Sequence, residues 1–172
     1  LLKKEAKIDY QASSREGLAV KAKELGVEID KNAGKAEIAD EIYKKYCRPK
    51  IIPPTFLIHY PKESKPLAKS VEPDGPIVAN FQLLVNGFEI VNAFSEQNDP
   101  IEQAARLKEQ EELFKQGFQE AQRTDTDFIE ALEYGMPPCA GLGMGIDRLA
   151  ALLTDSNALR EIILFPLMKP KN

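Results

Sequence analysis

Asn86-Gly87, set between apolar-rich runs at 77–85 and 88–96, constrains the fold more than any other feature of this chain. Both residues tolerate the positive φ that a type I′ turn requires, and that turn's twist matches the strands on either side. The two runs must therefore pair as an antiparallel hairpin. A two-residue loop sets Val85 opposite Phe88, Leu84 opposite Glu89 and Gln82 opposite Val91, with Gln82 a diagonal neighbour of Glu89.

The rest of the pattern surrounds that hairpin with helices. Residues 1–12 carry little periodicity and read as a ragged end. Residues 14–25 read as a helix with Leu18, Ala22 and Leu25 on one face and Gly26 as its stop. A second helix, 35–46, is built on Ile38, Ile42 and Tyr46. Residues 55–60 form a short apolar strand, and 61–76, with four prolines, an exposed loop. Asp99-Pro100-Ile101-Glu102 resembles a capping box with proline at the first helical position. The long helix it opens carries Glu102/Arg106, Lys108/Glu112 and Glu111/Lys115 at i,i+4, which reads as a solvated charged face. A helix at 126–134 stops at Gly135. A glycine-rich segment with its own helix follows, then the apolar run 159–165 and a frayed end. Helices, an antiparallel pair, then helices around another strand make an α+β domain with a mainly antiparallel sheet. A doubly wound parallel sheet would need a regular β–α alternation that is missing.

Composition bounds the function. A chain of 172 residues suffices for one domain, and a formal charge of −4 argues against a stand-alone module gripping nucleic acid by a basic surface. Cys47 and Cys139 lie far apart without metal-ligand spacing and His59 is the only histidine, so neither a disulfide framework nor a zinc site is expected. No apolar run reaches membrane-spanning length and no signal peptide is present, so the expected location is cytoplasmic, with no membrane partner.

Two segments carry candidate chemistry. In Gly141-Leu142-Gly143-Met144-Gly145-Ile146-Asp147-Arg148, alternating glycines allow close approach of a flat or phosphorylated ligand. The next residues have helical spacing (Ile146, Leu149, Ala150, Leu153), which sets Arg148 on the first turn as a fixed planar cation. The same pattern also describes a tight strand-to-helix turn with a surface arginine. Asp147 would orient Arg148 or cap the helix. The dinucleotide fingerprint is absent, because the order is GxGxG. In the second hairpin strand, alternation puts Asn92, Phe94 and Glu96 on one face: an amide, an apolar wall and a charge that would select a cationic group. A strand ending in polar residues fits equally. Glu89 has the opposite parity, so it joins the others only if a β-bulge breaks the alternation. A carboxylate there could hold Mg²⁺, which shares oxygen ligands with phosphates, or could be a solvated strand residue.

Three blocks together resemble the class II lysyl-tRNA synthetases. They are Pro54-Thr55-Phe56-Leu57-Ile58-His59-Tyr60-Pro61 with Glu63 and Pro66-Leu67-Ala68; Glu89-Ile90-Val91-Asn92-Ala93-Phe94-Ser95-Glu96 with Asn98-Asp99; and Gly135-Met136-Pro137-Pro138 through Arg148 to Ile163-Leu164-Phe165-Pro166. The last block indicates the class and the Asn-Ala-Phe-Ser-Glu block the lysine type. The resemblance, from about Ala22 to the end, implies an antiparallel sheet flanked by helices. It implies that Asn92, Phe94 and Glu96 contact lysine, with Glu96 pairing the ε-ammonium, and that Gly143 lies along the same pocket. Glu89 would bind Mg²⁺ at the ATP phosphates and Arg148, the catalytic arginine, would pack on ATP. The implied reaction activates lysine with ATP to lysyl-adenylate and moves the lysyl group to the terminal adenosine of tRNA(Lys).

Departures from the family pattern qualify this. Gln82 stands where a second metal-binding acid is usual; as a metal ligand beside Glu89 it can offer Mg²⁺ its amide oxygen but no negative charge. Lys65 puts a cation near the site's rim, and His59 replaces a common acid. The family's first two motifs and its N-terminal anticodon-binding barrel are not in this sequence. Residues 1–172 thus look like the C-terminal portion of a catalytic domain whose full-length form is expected to be a homodimer. Two other readings follow the same blocks: a relative that lysylates elongation factor P, and a non-catalytic binding module derived from a synthetase.

Overall fold

The computed structural model describes residues 1–115 and 124–167. Its centre is a four-stranded antiparallel sheet in the order β1-β2-β3-β4, with β1 Thr55–Pro61, β2 Ile77–Val85, β3 Phe88–Ser95 and β4 Ala140–Met144. The β2–β3 turn is the expected one, with φ of 49° at Asn86 and 73° at Gly87. Its register begins as predicted, Val85 opposite Phe88 and Leu84 opposite Glu89, and then slips. Leu83 pairs Val91 and Gln82 pairs Asn92, not Val91, because Ile90 is an extra residue on β3. A second irregularity lies in β1, where His59 adopts φ 64° between Ile58 and Tyr60.

Paired residues share a sheet face, so the register defines two surfaces. The front carries Leu57, Val78, Asn80, Gln82, Leu84, Glu89, Asn92, Phe94, Gly141 and Gly143; the back carries Phe56, Ile58, Phe81, Leu83, Val91, Ala93, Leu142 and Met144. Against the front, at the Leu84 end, pack three helices: α1 Leu2–Glu5, α2 Arg15–Glu24 and α3 Lys35–Ile42. Ser14 caps α2, its hydroxyl accepting from the Gly17 amide at 3.1 Å, and Gly26 (φ 69°) ends it.

Three expectations are corrected in this half. Residues 1–12 are no ragged end, since Ala6 and Ile8 are buried in the core with Leu18, Ala22, Ile38 and Ile42. The second helix does not stay α-helical to Tyr46: from Tyr43 to Cys47 it widens into a π-turn. The i,i+5 spacing carries the buried face from Ile42 to Cys47, and Tyr43 beside it is buried, while Tyr46 is left half-buried. The 61–76 segment is stitched to the sheet, with isolated bridges from Ala68 to Glu96 and Ser70 to Val78.

Helices α4 Pro100–Lys115, α5 Thr126–Glu133 and α6 Ile146–Leu153 complete the described fold. Asp99 caps α4, its carboxylate accepting from the Ile101 and Glu102 amides, but Glu102 turns to Arg106 and does not close the box. Lys108, Glu112 and Lys115 are exposed as expected of a solvated face, but Arg106 is buried, which corrects the reading of that charge run at its first pair. It donates to the Ala68 carbonyl at 2.5 Å and to Ser70 Oγ at 2.9 Å, while Gln103 reaches the Pro66 carbonyl. These donors satisfy carbonyls that a proline-rich loop cannot satisfy itself. On the back of the sheet α6 buries Leu149 and Leu152 against Val91 and Ala93, whereas Ile146 and Leu153 of the expected stripe are exposed. The run at 159–165 is a single turn, Leu159–Glu161, followed by exposed Leu164 and Phe165, and it forms no strand. Residues 168–172 of the expected frayed end, and residues 116–123, lie outside the described residues.

Candidate functional site

The bulge at Ile90 decides the geometry. Without it Glu89 would face the back of the sheet; with it Glu89, Asn92 and Phe94 share the front face with Gln82, Gly141 and Gly143. The bulge is held from outside β3. The Gly145 amide donates to the Ile90 carbonyl at 2.9 Å and the Arg148 guanidinium donates to the Glu89 carbonyl at 2.8 Å. The strand-to-helix segment that carries the glycines thus fixes the kink that brings Glu89 forward.

At the other end of β3, Glu96 lies just beyond the last strand residue. Its amide donates to the Cys139 carbonyl at 3.1 Å. No hydrogen bond or ion pair of its carboxylate occurs among the described residues, and partial burial holds this carboxyl above the usual carboxylate range. Gly141 sits directly beneath: a Cβ there would overlap the Glu96 carboxylate oxygen. Gly143, by contrast, is open, its nearest neighbour being the Asn92 carbonyl at 3.9 Å from a would-be Cβ. The glycines therefore do different things. One makes room for a protein carboxylate, and the other leaves the strip bare beside Asn92.

The side chain of Asn92 is oriented by a residue that sequence reasoning missed. Asn80 is buried; its amide nitrogen donates to Asn92 Oδ1 and to the Ala93 carbonyl, both at 2.8 Å. That leaves the Asn92 amide N–H groups as the outward donors. Gln82 is likewise enclosed. The Tyr60 hydroxyl donates to Gln82 Oε1 at 2.5 Å and the Tyr43 hydroxyl reaches the same oxygen at 3.4 Å. Burial pushes the Tyr43 phenol up to about 12 and Tyr60 further, and the nearby Glu89 carboxylate adds to both rises. Lys65 Nζ lies 5.2 Å from the Tyr60 ring centroid. A signal for Asn80 and Gln82 was present in β2: both occupy the core parity of Val78 and Leu84, where a polar side chain needs a reason.

Seen along β3, the expected residues form a strip and not an enclosed pocket. Glu89 and Arg148 mark one end, Gln82, Asn92 and Gly143 the middle, and Phe94, Glu96 and Gly141 the other end, roughly 20 Å from the first at about 3.3 Å per residue. The best-formed cavity, about 470 Å³, is elsewhere, under the N-terminal segment between Ile8, Tyr10, Ala39, Tyr43 and Tyr60. α6 packs on the back of the sheet, and Arg148 reaches the strip at the bulge through the Glu89 carbonyl. For magnesium, the donor set is short. Among the described residues no group of three or more His, Cys, Asp or Glu could hold a metal ion, and Gln82 has committed its oxygen to two phenols. Of the expected pair, Glu89 brings a carboxylate and Gln82 an amide.

The family profile described as tRNA synthetases class II (D, K and N) matches residues 3–169. The chain belongs to that family. Among similar proteins is the lysine–tRNA ligase of Pelotomaculum thermopropionicum, 46% identical over 173 residues, which takes in 99% of this chain and 34% of that protein. The lysine–tRNA ligase of Carboxydothermus hydrogenoformans is 49% identical over 152 residues, 88% of this chain and 31% of the relative. That of Azobacteroides pseudotrichonymphae is 48% identical over 147 residues, 86% and 29%. The chain thus spans about a third of the length of these relatives. Its antiparallel sheet with flanking helices is a partial domain of the class II synthetase kind. Among the described residues no helix is long and apolar enough to cross a membrane.

Proposed function

We propose that this chain supplies the lysine-binding strip and part of the ATP site of a lysine–tRNA ligase. The observation that carries the reading is the unpaired, partly shielded Glu96 carboxylate seated over Gly141, in line with Phe94 and Asn92 on one face. A carboxylate short of partners selects an ammonium, because a neutral side chain leaves the charge uncompensated. Phe94 gives the aliphatic stem an apolar wall. Asn92, held by Asn80, presents N–H donors to the carboxylate end of the amino acid beside bare Gly143. The nucleotide would then lie toward Glu89 and Arg148. Magnesium, entering with ATP, would neutralise phosphate charge there, with Glu89 as this chain's carboxylate. The reaction would be attack by the lysine carboxylate on the α-phosphorus, with pyrophosphate leaving. Transfer of the lysyl group to the acceptor end of tRNA(Lys) would follow in the full-length homodimer. What these residues contribute is position and charge; no protein nucleophile is needed. The wording of 94–99 (Phe-Ser-Glu-Gln-Asn-Asp) favours tRNA over a protein acceptor.

Titration of the chain with L-lysine and with norleucine, followed at the Gly141, Gly143 and Glu96 amides by NMR, tests this. Lysine should shift those signals and norleucine should not, and Glu96→Gln should weaken lysine by on the order of a hundredfold, ~3 kcal/mol. Because the Glu96 carboxyl is raised, lysine affinity should begin to fall at a higher pH than an ordinary glutamate would dictate, and the Gln variant should lack that fall. Equal response to both ligands would sink the assignment. This chain alone should show little or no adenylate formation, an expectation that robust lysine-dependent pyrophosphate exchange would refute.

A further inference from the structure

Resting on that reading of the nucleotide end, we infer that position 82 has been turned from a place for a cation ligand into a hydrogen-bond donor for a phosphate oxygen, with Tyr43 and Tyr60 as the positioning residues. Gln82 is on the front face, opposite Asn92 and diagonal to Glu89, where the strip meets the ATP end. Its Oε1 accepts from Tyr60 at 2.5 Å and is approached by Tyr43 at 3.4 Å. The amide oxygen is thus the end of the side chain that faces the phenols. The two phenols also hydrogen-bond to each other, and the amide oxygen accepts from the pair in a buried place. The amide nitrogen is then the outward end. It has no hydrogen-bond partner among the described residues, and it is not among the buried polar atoms left unsatisfied there.

An N–H pair cannot ligate a cation and can only meet an acceptor. Next to it on the sheet stands Glu89, and Asp40 of α3 is a second carboxylate acting on the same two phenols. A polyphosphate bridging the amide and Glu89 would place an oxygen on Gln82 Nε2 and, through its metal, another near Glu89. The cluster is built from three directions. Tyr43 comes from the π-turn, Tyr60 follows the His59 irregularity of β1, and Glu89 comes forward through the Ile90 bulge. Each of these backbone departures turns a side chain toward the same amide.

The test uses the chain as it is, labelled with ¹⁵N, and assigns the Gln82 side-chain amide by its disappearance in Gln82→Met. Inorganic pyrophosphate without metal should shift that amide, and Mg²⁺ alone should leave it in place. In Gln82→Glu the phenols still have an acceptor, so the fold is kept. That variant should bind Mg²⁺ at least about tenfold more tightly than the parent chain. Tyr60→Phe should collapse the spread between the two amide protons while leaving thermal stability near that of the parent. An amide that ignores pyrophosphate, or that moves with Mg²⁺ alone, overturns the inference. Lysine shifts at Gly141 and Gly143 are read in the same spectra. Their persistence with a silent Gln82 would reject this inference alone, and their absence with a responsive Gln82 would reject the lysine strip alone.

Discussion

The helical cluster on the front of the sheet and the strand-to-helix segment on its far edge are built to opposite specifications. Leu18, Ala22, Ile38, Ile42 and Leu84 have essentially no exposed surface and enclose one another. In β4 and α6, Leu142 is 62% exposed, Ile146 66% and Leu153 77%. The first region is held by burial of apolar surface. The second combines a smaller apolar contact, Leu149 and Leu152 on Val91 and Ala93, with directed ones: the β3–β4 ladder, the Gly145 amide on Ile90, and Arg148 on Glu89. Burial is indifferent to small shifts of position, while hydrogen bonds to a bulge are not. The residues with chemistry to do lie where the second kind of restraint operates.

The sharpest way to break this contrast is to remove the same amount of side chain from each region. Ile38→Ala should cost about 2–5 kcal/mol in urea unfolding. Leu153→Ala should stay within about 0.5 kcal/mol, as expected of an exposed position. Comparable losses would mean that α6 is part of the same core. Next in size is Arg106→Met, which keeps the stem but strips the Ala68 and Ser70 contacts and leaves Glu102 without its partner. A loss of about 1.5–3 kcal/mol is expected, and hydrogen exchange should rise first at the Lys69 and Gln97 amides, which bridge the segment that Arg106 ties down to the end of β3.

The smallest effect concerns Glu96. Its folded-state carboxyl is raised by desolvation, so the folded chain holds that proton to higher pH than the unfolded one. The stability this gives is complete below the ordinary glutamate range and is lost as pH rises through the raised value. Glu96→Gln should therefore be slightly more stable than the parent at neutral pH, with the gap closing at acid pH. A variant that is less stable at pH 7 would show that Glu96 is held by contacts and not kept waiting for a ligand.

Much of this was legible in local chemistry. Asn86-Gly87 set the hairpin, Ser14 and Asp99 set helix starts, and Gly26 and Gly135 set helix ends, because each acts through its own backbone and immediate neighbours. The sequence reading also required a bulge if Glu89 was to join Asn92, and Ile90 provides it. Other features were not legible. The charge pattern of α4 looked solvated because the carbonyls that Arg106 satisfies belong to a loop far away in the chain. Residues 1–12 looked patternless because Ala6 and Ile8 become core only when α2 and α3 are present to cover them.

By itself, then, the sequence determined the antiparallel pair, the helix limits and the identity of the residues on the β3 strip, all of which follow from φ preferences and the two-residue period of a strand. Only the tertiary structure decided which way the amides of Asn92 and Gln82 point, that Gly141 yields its space to Glu96, and that Gln82 keeps its oxygen for Tyr43 and Tyr60. Those outcomes depend on partners brought together by folding, and a hydrogen bond has no direction until both of its ends are in place.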